Sequence, residues 1–429
     1  MKKNLQDNEK KTKEEGHIVE RSLRVYNSEK TFFSKLTNTL TKLFIPTKVG
    51  FNSMIISMKR NNVLKAYENS LNIDSIENPD KKEQITKKLD DTYALYLESI
   101  DKYIMDSIYK KVKNDTASEF EKEALSQYYM ITHLKETNYT EYKYRKQMYL
   151  MRLDYEIVSN NDKVKILEKY KKFYAMEMEV LYKGLLKHYS IRLADNLLEA
   201  EKQEVYNKIF KTLEEYISSI LPIKMEIDGN EAYKEIIEQY SNFEKFSVGK
   251  LDQNDNIEKN MILLSISRKL FTHSLPLVVA EQCYEKLLND VRSLIVDTKI
   301  TKKQEKAYSL LIRIMEEYNI KLLGSKIYWD KPALREEYKN FWEEYKKASE
   351  IKDEEERLNQ KQILFLQRDL KQVLENENRY YKIIQFYRNK LVKLGAMREL
   401  FNSYSSEGNY TKGPKKVRKK RGRKPKVAV

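Results

Sequence analysis

A chain of 429 residues with 41% hydrophobic and 34% charged residues is long enough to bury a core, and its 32 Tyr and 14 Phe argue against disorder throughout. Only 10 Gly and 7 Pro leave few turn signals, which disfavours a many-stranded β architecture and points to long helices joined by short loops. The formal net charge of +16 is unevenly placed: residues 411–429 hold ten Lys or Arg and no acid, so residues 1–410 carry only +6, and residues 28–67 hold seven Lys or Arg against the single Glu29.

Residues 1–27 are charged and mostly aperiodic, and are expected to be disordered. Next, "SEKTFFSKLTNTLTKLFIP" puts Phe32, Phe33, Leu36, Leu40, Leu43 and Phe44 on one helical face opposite Lys35, Thr37, Asn38, Thr41 and Lys42, until Pro46 stops the helix. Such a face suits a bundle member, a helix that docks on a partner, or a helix lying in an anionic membrane surface. A second helix over 48–71 presents Phe51, Met54, Ile55, Met58 and Leu64. From Asp80 to Lys113, the spacing of Ile85, Leu89, Tyr93, Tyr96, Ile100, Tyr103, Ile104 and Ile108 predicts one long amphipathic helix.

Ser118 and Glu121 stand at capping-box spacing and open the next helix; further helices are predicted over 140–158, 162–192 and 196–221, the last ended by Pro222. Residues 223–257 have the weakest periodicity and are expected to link a helical region over 28–222 to another over 258–400. In the latter, helices are predicted over 257–271, 276–296, 301–323 and 332–349, with one long helix over 353–394. Its positions Ile363, Leu366, Leu370, Val373, Glu377, Tyr380, Ile384, Tyr387, Leu391 and Leu394 form a heptad seam, which would serve a dimer. Leu374, Tyr381 and Ile383 widen the stripe, which favours packing within its own bundle. The fold class is therefore all-α, an elongated multi-helix bundle flanked by a disordered N-terminus and a disordered basic tail over 401–429.

Candidate chemistry is sparse. Of four histidines only His17 has a Glu three residues before it, Glu14, whereas a bundle di-iron site needs two such pairs on facing helices, and a single cysteine, Cys283, supports neither a zinc site nor an intrachain disulfide. No metal or other cofactor is expected. "DQNDNIEKNMIL" from Asp252 opens like a calcium loop, but Ile257 stands where the turn needs Gly and Leu263 where it needs Glu, so a helix-capping loop is the better reading. Gly residues are single and scattered, which leaves no phosphate loop. Glu336, Glu337, Glu343 and Glu344 lie among Lys and Arg and read as solvated faces, while the tyrosines read as core packing rather than base-stacking groups. These absences point away from an enzyme. Nothing asks for an oxidising compartment, and no stretch approaches a membrane span, so an intracellular protein of the cytoplasm or nucleoid is expected, or of the nucleus in a eukaryote.

The tail carries the functional signal. Within "KKRGRKPK", the run Arg421, Gly422, Arg423, Lys424, Pro425 resembles an AT-hook, a short motif that lies extended in the minor groove of A·T-rich DNA. That resemblance implies Arg421 and Arg423 as groove-inserting side chains and Gly422 as the point of closest approach; Lys424 departs from the motif, which has Pro directly after the second Arg. The physics is legible on its own: Gly admits the backbone to the groove floor, and Arg enters a narrow groove of enhanced negative potential. Lys415, Lys416, Arg418, Lys419, Lys420, Lys424, Pro425 and Lys426 complete the expected nucleic-acid-binding stretch. Two other readings stand beside it: a Lys/Arg tail that binds DNA or any polyanion by counterion release, and "PKKVRKK" as an import address. The expectation is a non-enzymatic DNA-tethered protein whose helical body binds a partner. The alternative is a helical scaffold or peripheral membrane protein acting through residues 28–67.

Overall fold

The computed structural model describes residues 51–159, 164–247, 251–272, 275–323, 332–374 and 381–396. Among them all regular structure is helical, as the composition predicts. The expected disordered termini, 1–27 and 401–429, lie outside the described residues, as does the predicted helix ahead of Pro46.

Two compact units divide the chain. The first comprises residues up to Leu294 together with 305–326. It contains α1 (Phe51–Ser70), α2 (Pro79–Tyr103), α3 (Tyr109–Lys113), α4 (Glu119–Thr137), α5 (Tyr139–Ser159), α6 (Val164–Ala194), α7 (Glu199–Asp228), α8 (Lys234–Glu244) and α9 (Gln253–Leu270), then most of α10 (Leu277–Asp297) and of α11 (Thr301–Glu316). Neighbours in sequence pack on one another: α1 on α2, α4 on α5, α5 on α6, α6 on α7 and α8 on α9; α7 also packs on α9. Short connections make such pairs antiparallel, as in helical bundles generally.

Local chemistry explains the boundaries. Asn78 caps α2 by accepting from the backbone N–H of Asp80 and Lys81, with Pro79 in the first turn, where its missing N–H costs nothing. A π-helical stretch, Ile104–Ile108, joins α2 to α3 and keeps Ile104 and Ile108 buried, so the long helix predicted over 80–113 is present with one change of winding. At α4, Ser118 and Glu121 form the predicted capping box. At α9, Asp252 accepts from Asp255 N–H at 2.8 Å, the capping role expected of that loop. Helix α9 is buried nearly all round, from Ile257 and Met261 through Leu264 to Leu270, as befits a helix at the centre of a core. Between α5 and α6, Gly184 lets the Tyr144 ring come so close that a Cβ there would lie 2.4 Å from it.

Three expectations change. Pro222 does not end α7 but lies inside it, and the helix stops at Gly229, whose φ of +85° suits glycine. The lost hydrogen bond costs about 3 kcal/mol in a helix interior; burial of Ile217, Ile220, Leu221 and Ile223 around the proline offsets it. Residues 223–257, expected to be a linker, fall within the first unit: α8 buries Ile236 and Phe243, and short 3-10 turns flank it. On α1 the core face is turned from the one expected, with Ile56, Arg60, Val63, Leu64 and Ala66 inward while Met54 and Met58 are 68% and 55% exposed. The polar Arg60 concealed that face in the sequence, because a guanidinium does not count towards an apolar stripe.

The second unit takes residues 295–304 and 327 onward. Gln304 closes the turn between α10 and α11 by donating to the carbonyls of Ile295 (3.1 Å) and Thr298 (2.9 Å). Then come α12 (Pro332–Ser349), α13 (Glu354–Leu374) and α14 (Tyr381–Lys393), with α12 on α13 and α13 on α14. The single helix predicted over 353–394 is thus two helices. Tyr387 donates to Asp369 at 2.7 Å, whereas eighteen residues of unbroken helix would separate them by about 27 Å. Leu366, Leu370, Val373, Ile384, Tyr387 and Leu391 are buried within the unit, so these seam positions pack on one another inside one chain.

Candidate functional site

The residues singled out in the tail, Lys415 to Lys426, and those of the amphipathic segment, Phe32, Phe33, Leu36, Leu40, Leu43 and Phe44, lie outside the described residues. The described body holds two polar constellations that sequence reading missed, one inside the first unit and one on the second.

The first unit has charged groups in its core. Asp154 of α5 is fully buried and accepts from Arg60 Nε (2.7 Å) and Nη2 (2.5 Å), from Tyr170 (2.8 Å) and from Tyr96. One carboxylate therefore ties together α1, α2, α5 and α6. Burial alone would disfavour the Arg60 cation, but the hydrogen bond and charge of Asp154 win and hold it above its ordinary value. Burial, reinforced by Asp154, pushes the Tyr96 and Tyr170 hydroxyls far up, so they remain neutral donors.

A second set runs along α5, α6 and α7. Glu141, 3% exposed, accepts from Tyr189 (2.8 Å), Asn138 (3.2 Å) and Lys208 (3.3 Å). Arg145 donates to Glu215 at 2.7 Å, and Arg152 to Ser219 at 2.9 Å and Tyr182 at 3.1 Å. Glu179 accepts from Thr272 N–H (2.9 Å), Thr272 Oγ1 (2.7 Å) and Lys224 (3.1 Å). Burial would raise Glu141, Glu179 and Glu215, yet these donors and cations outweigh it and all three lie below the usual carboxylate value. Glu156 and Glu177 go the other way: burial pushes each up to about 7, with Asp90 adding its repulsion at Glu177. Every hydrogen bond just named holds one helix to another or to a flanking segment, except that of Asn138, which caps α5. The chemistry of this set is that of a clamp that fixes which helices pair.

Cys283 is buried and its thiol is raised by burial, which leaves it inert. Among the described residues no group of three or more His, Cys, Asp or Glu is placed to hold a metal ion, and no helix is long and apolar enough to cross a membrane.

In the second unit α12 carries a row of rings. Tyr338 stacks on Trp342 (centroids 6.3 Å, planes 13° apart) and Trp342 on Tyr345 (5.6 Å, 15°). Cations sit over them: Lys346 lies 5.7 Å from the Trp342 centroid and Lys361 of α13 lies 4.7 Å from that of Tyr345. Tyr338, Trp342 and Tyr345 are all half-buried, whereas Phe341 beneath them is buried. The sequence signal for this row is the i, i+4, i+7 spacing of Tyr338, Trp342 and Tyr345. The signal for the buried charges is Arg60 and Asp154 interrupting otherwise apolar helical faces.

No protein-family model, curated protein or solved structure matches this chain.

Proposed function

We propose that the chain is a non-enzymatic nucleic-acid-binding protein whose basic tail tethers an α-helical body to DNA, with a preference for A·T-rich minor grooves. The segregation of charge carries this reading: ten Lys or Arg and no acid in residues 411–429, around Arg421, Gly422 and Arg423. A strand of such density finds its strongest partner in a polyanion, and an Arg-Gly-Arg core suits a narrow groove. The clamped helices of the first unit fit a body that presents surfaces rather than performs chemistry.

Deleting residues 411–429 is expected to abolish most binding to an A·T-rich duplex. If six to ten phosphates are neutralised, affinity of the intact protein falls with salt on a log–log slope of roughly −5 to −9. Unchanged affinity after the deletion removes the proposal, and equal affinity for A·T-rich and G·C-rich duplexes removes its groove preference.

A second reading, a scaffold or peripheral membrane protein acting through residues 28–67, is favoured by one observation. Met54 and Met58 are exposed on α1, directly after the amphipathic segment. Flotation with anionic vesicles that is lost in Phe33→Asp and Leu40→Asp variants would support it over the tail.

A further inference from the structure

We infer that the aromatic row of α12, with the cations above it, is a stacking platform for unpaired bases, so that the second unit takes a single-stranded segment of nucleic acid. This rests on the nucleic-acid reading above and names the form of nucleic acid that the body itself holds.

Three observations converge. The rings of Tyr338, Trp342 and Tyr345 are nearly parallel, with successive planes 13° and 15° apart, and each is half-buried. One end of the row is backed by other rings: Phe341 lies beside Tyr345, with planes 19° apart, and Phe365 of α13 lies 6.0 Å from Tyr345. Tyr345 is thereby held in place before anything binds, which spares part of the ordering entropy of the contact.

Charge is the second part. Around an α-helix successive residues turn by about 100°, which places Lys346 and Lys339 within about 60° of Trp342, while Glu343, Glu336 and Glu344 lie about 100° or more away. Lys339 and Lys346 are exposed. From α13, Lys361 stands over Tyr345 at 4.7 Å, while Arg368 stands over the buried Phe341 at 4.7 Å. The aromatic strip is therefore bordered by cations, with the acids of α12 turned away. A ligand with flat π faces joined by regularly spaced negative charges matches both strips, and that is a single strand. In the unbound protein a lysine occupies the ring face by cation–π attraction; on binding it moves to a phosphate, and a base takes its place.

The third part is the opposite use of aromatics elsewhere. In the first unit the fully buried tyrosines Tyr96, Tyr170 and Tyr189 give their hydroxyls to buried carboxylates. Single half-buried rings beneath a lysine occur there too, Tyr142 under Lys146 and Tyr206 under Lys286; what α12 adds is three half-buried rings in one near-parallel row.

Because the chain has two tryptophans, Trp329 and Trp342, a full-length Trp329→Phe variant makes Trp342 the sole indole. An oligothymidylate is expected to quench its emission, with or without residues 411–429, whereas a blunt A·T duplex and polyglutamate are not. In the natural background, Trp342→Ala is expected to weaken oligothymidylate binding about 5- to 150-fold, the range for one lost base stack, while Trp342→Phe keeps most of it and duplex affinity is unchanged. Retention by Trp342→Phe with loss in Trp342→Ala separates stacking from misfolding.

Absence of quenching at saturating oligothymidylate overturns the inference. So does an equal loss on single strand and duplex, or equal quenching by polyglutamate, which would mark a site for acidic peptides. A failed tail proposal shows instead as duplex binding indifferent to deletion of 411–429, a result that leaves quenching of Trp342 in place.

Discussion

Tyr189 of α6 and Trp342 of α12 are both large rings with one polar hydrogen, and their surroundings treat them differently, whereas Tyr387 of α14, buried on Asp369, behaves as Tyr189 does. Tyr189 is fully buried and donates to Glu141 at 2.8 Å, on a carboxylate that two cations also approach. Trp342 is half-buried, near-parallel to Tyr338 and Tyr345 at 6.3 and 5.6 Å, with a lysine over its face. What differs is the supply of buried acid. Where a helix interior contains a carboxylate, a neutral tyrosine can approach it at little cost, and the ring goes inside. Where the acids of the helix face solvent, as Glu343 and Glu344 do, the polar edge has no inner partner and stays at the surface.

The sharpest way to break this contrast is to remove the acid. Asp154→Asn keeps the shape of the side chain and leaves Arg60 buried without a counter-charge. A loss of about 3–5 kcal/mol is expected, read as a lower urea midpoint by far-UV circular dichroism. Replacing the pair together, with Arg60→Met and Asp154→Leu, should recover much of that loss, since no charge is then left unpaired. A cost below about 1 kcal/mol for Asp154→Asn would mean that the cluster does not hold α1, α2, α5 and α6 together.

A smaller effect comes from matched substitutions in the two regions. Tyr189→Phe removes one donor from Glu141 and should cost about 1–3 kcal/mol, because the buried carboxylate loses a hydrogen bond it cannot replace with water. Trp342→Phe also drops a polar hydrogen and keeps a ring, yet at a half-exposed site it should change stability by no more than about 0.5 kcal/mol. Comparable losses for the two in urea melts would contradict the division into an inward and an outward use of aromatics.

The sequence carried the helices better than it carried this division. Apolar spacing located nearly every helix of the described body, and Ser118 with Glu121 marked one start to the residue, because capping is local chemistry written in adjacent positions. Pro222 misled because its cost is local while the burial of Ile220 and Ile223 that outweighs it is tertiary. The helix over 353–394 misled because heptad spacing continues in phase from α13 into α14, and the fold-back shows in tertiary contacts such as Tyr387–Asp369. Arg60 and Asp154 are 94 residues apart, and no periodicity pairs two charges over that distance. The ring row of α12 was visible as spacing, but spacing alone does not distinguish a half-exposed stripe from a buried one.

A further expected effect is on pH dependence, and it separates the two kinds of buried carboxylate within the first unit. Glu141, Glu179 and Glu215 have folded-state values below the ordinary 4.5, so the stability they contribute is fully present above that pH and is lost as pH falls below it. Glu156 and Glu177, raised by burial to about 7, act in the opposite sense. Above about pH 7 they are ionised in both states and impose their full burial penalty. As pH falls from about 7 towards 4.5 the folded state takes up protons that the unfolded chain does not, and stability rises. His188 subtracts from that rise: burial lowers it below 6.5, so the unfolded chain binds its proton first on acidification. Two carboxyls against one imidazole leave a net gain, which puts the stability maximum near pH 5, with a decline on either side. Urea midpoints across pH should show this maximum. Replacing Glu156 and Glu177 with Gln should abolish the rise from pH 7 to 5, leaving only the opposite slope of His188, and leave the acid limb unchanged. A maximum at pH 8 that those substitutions do not move would show that neither carboxyl is buried in its charged form.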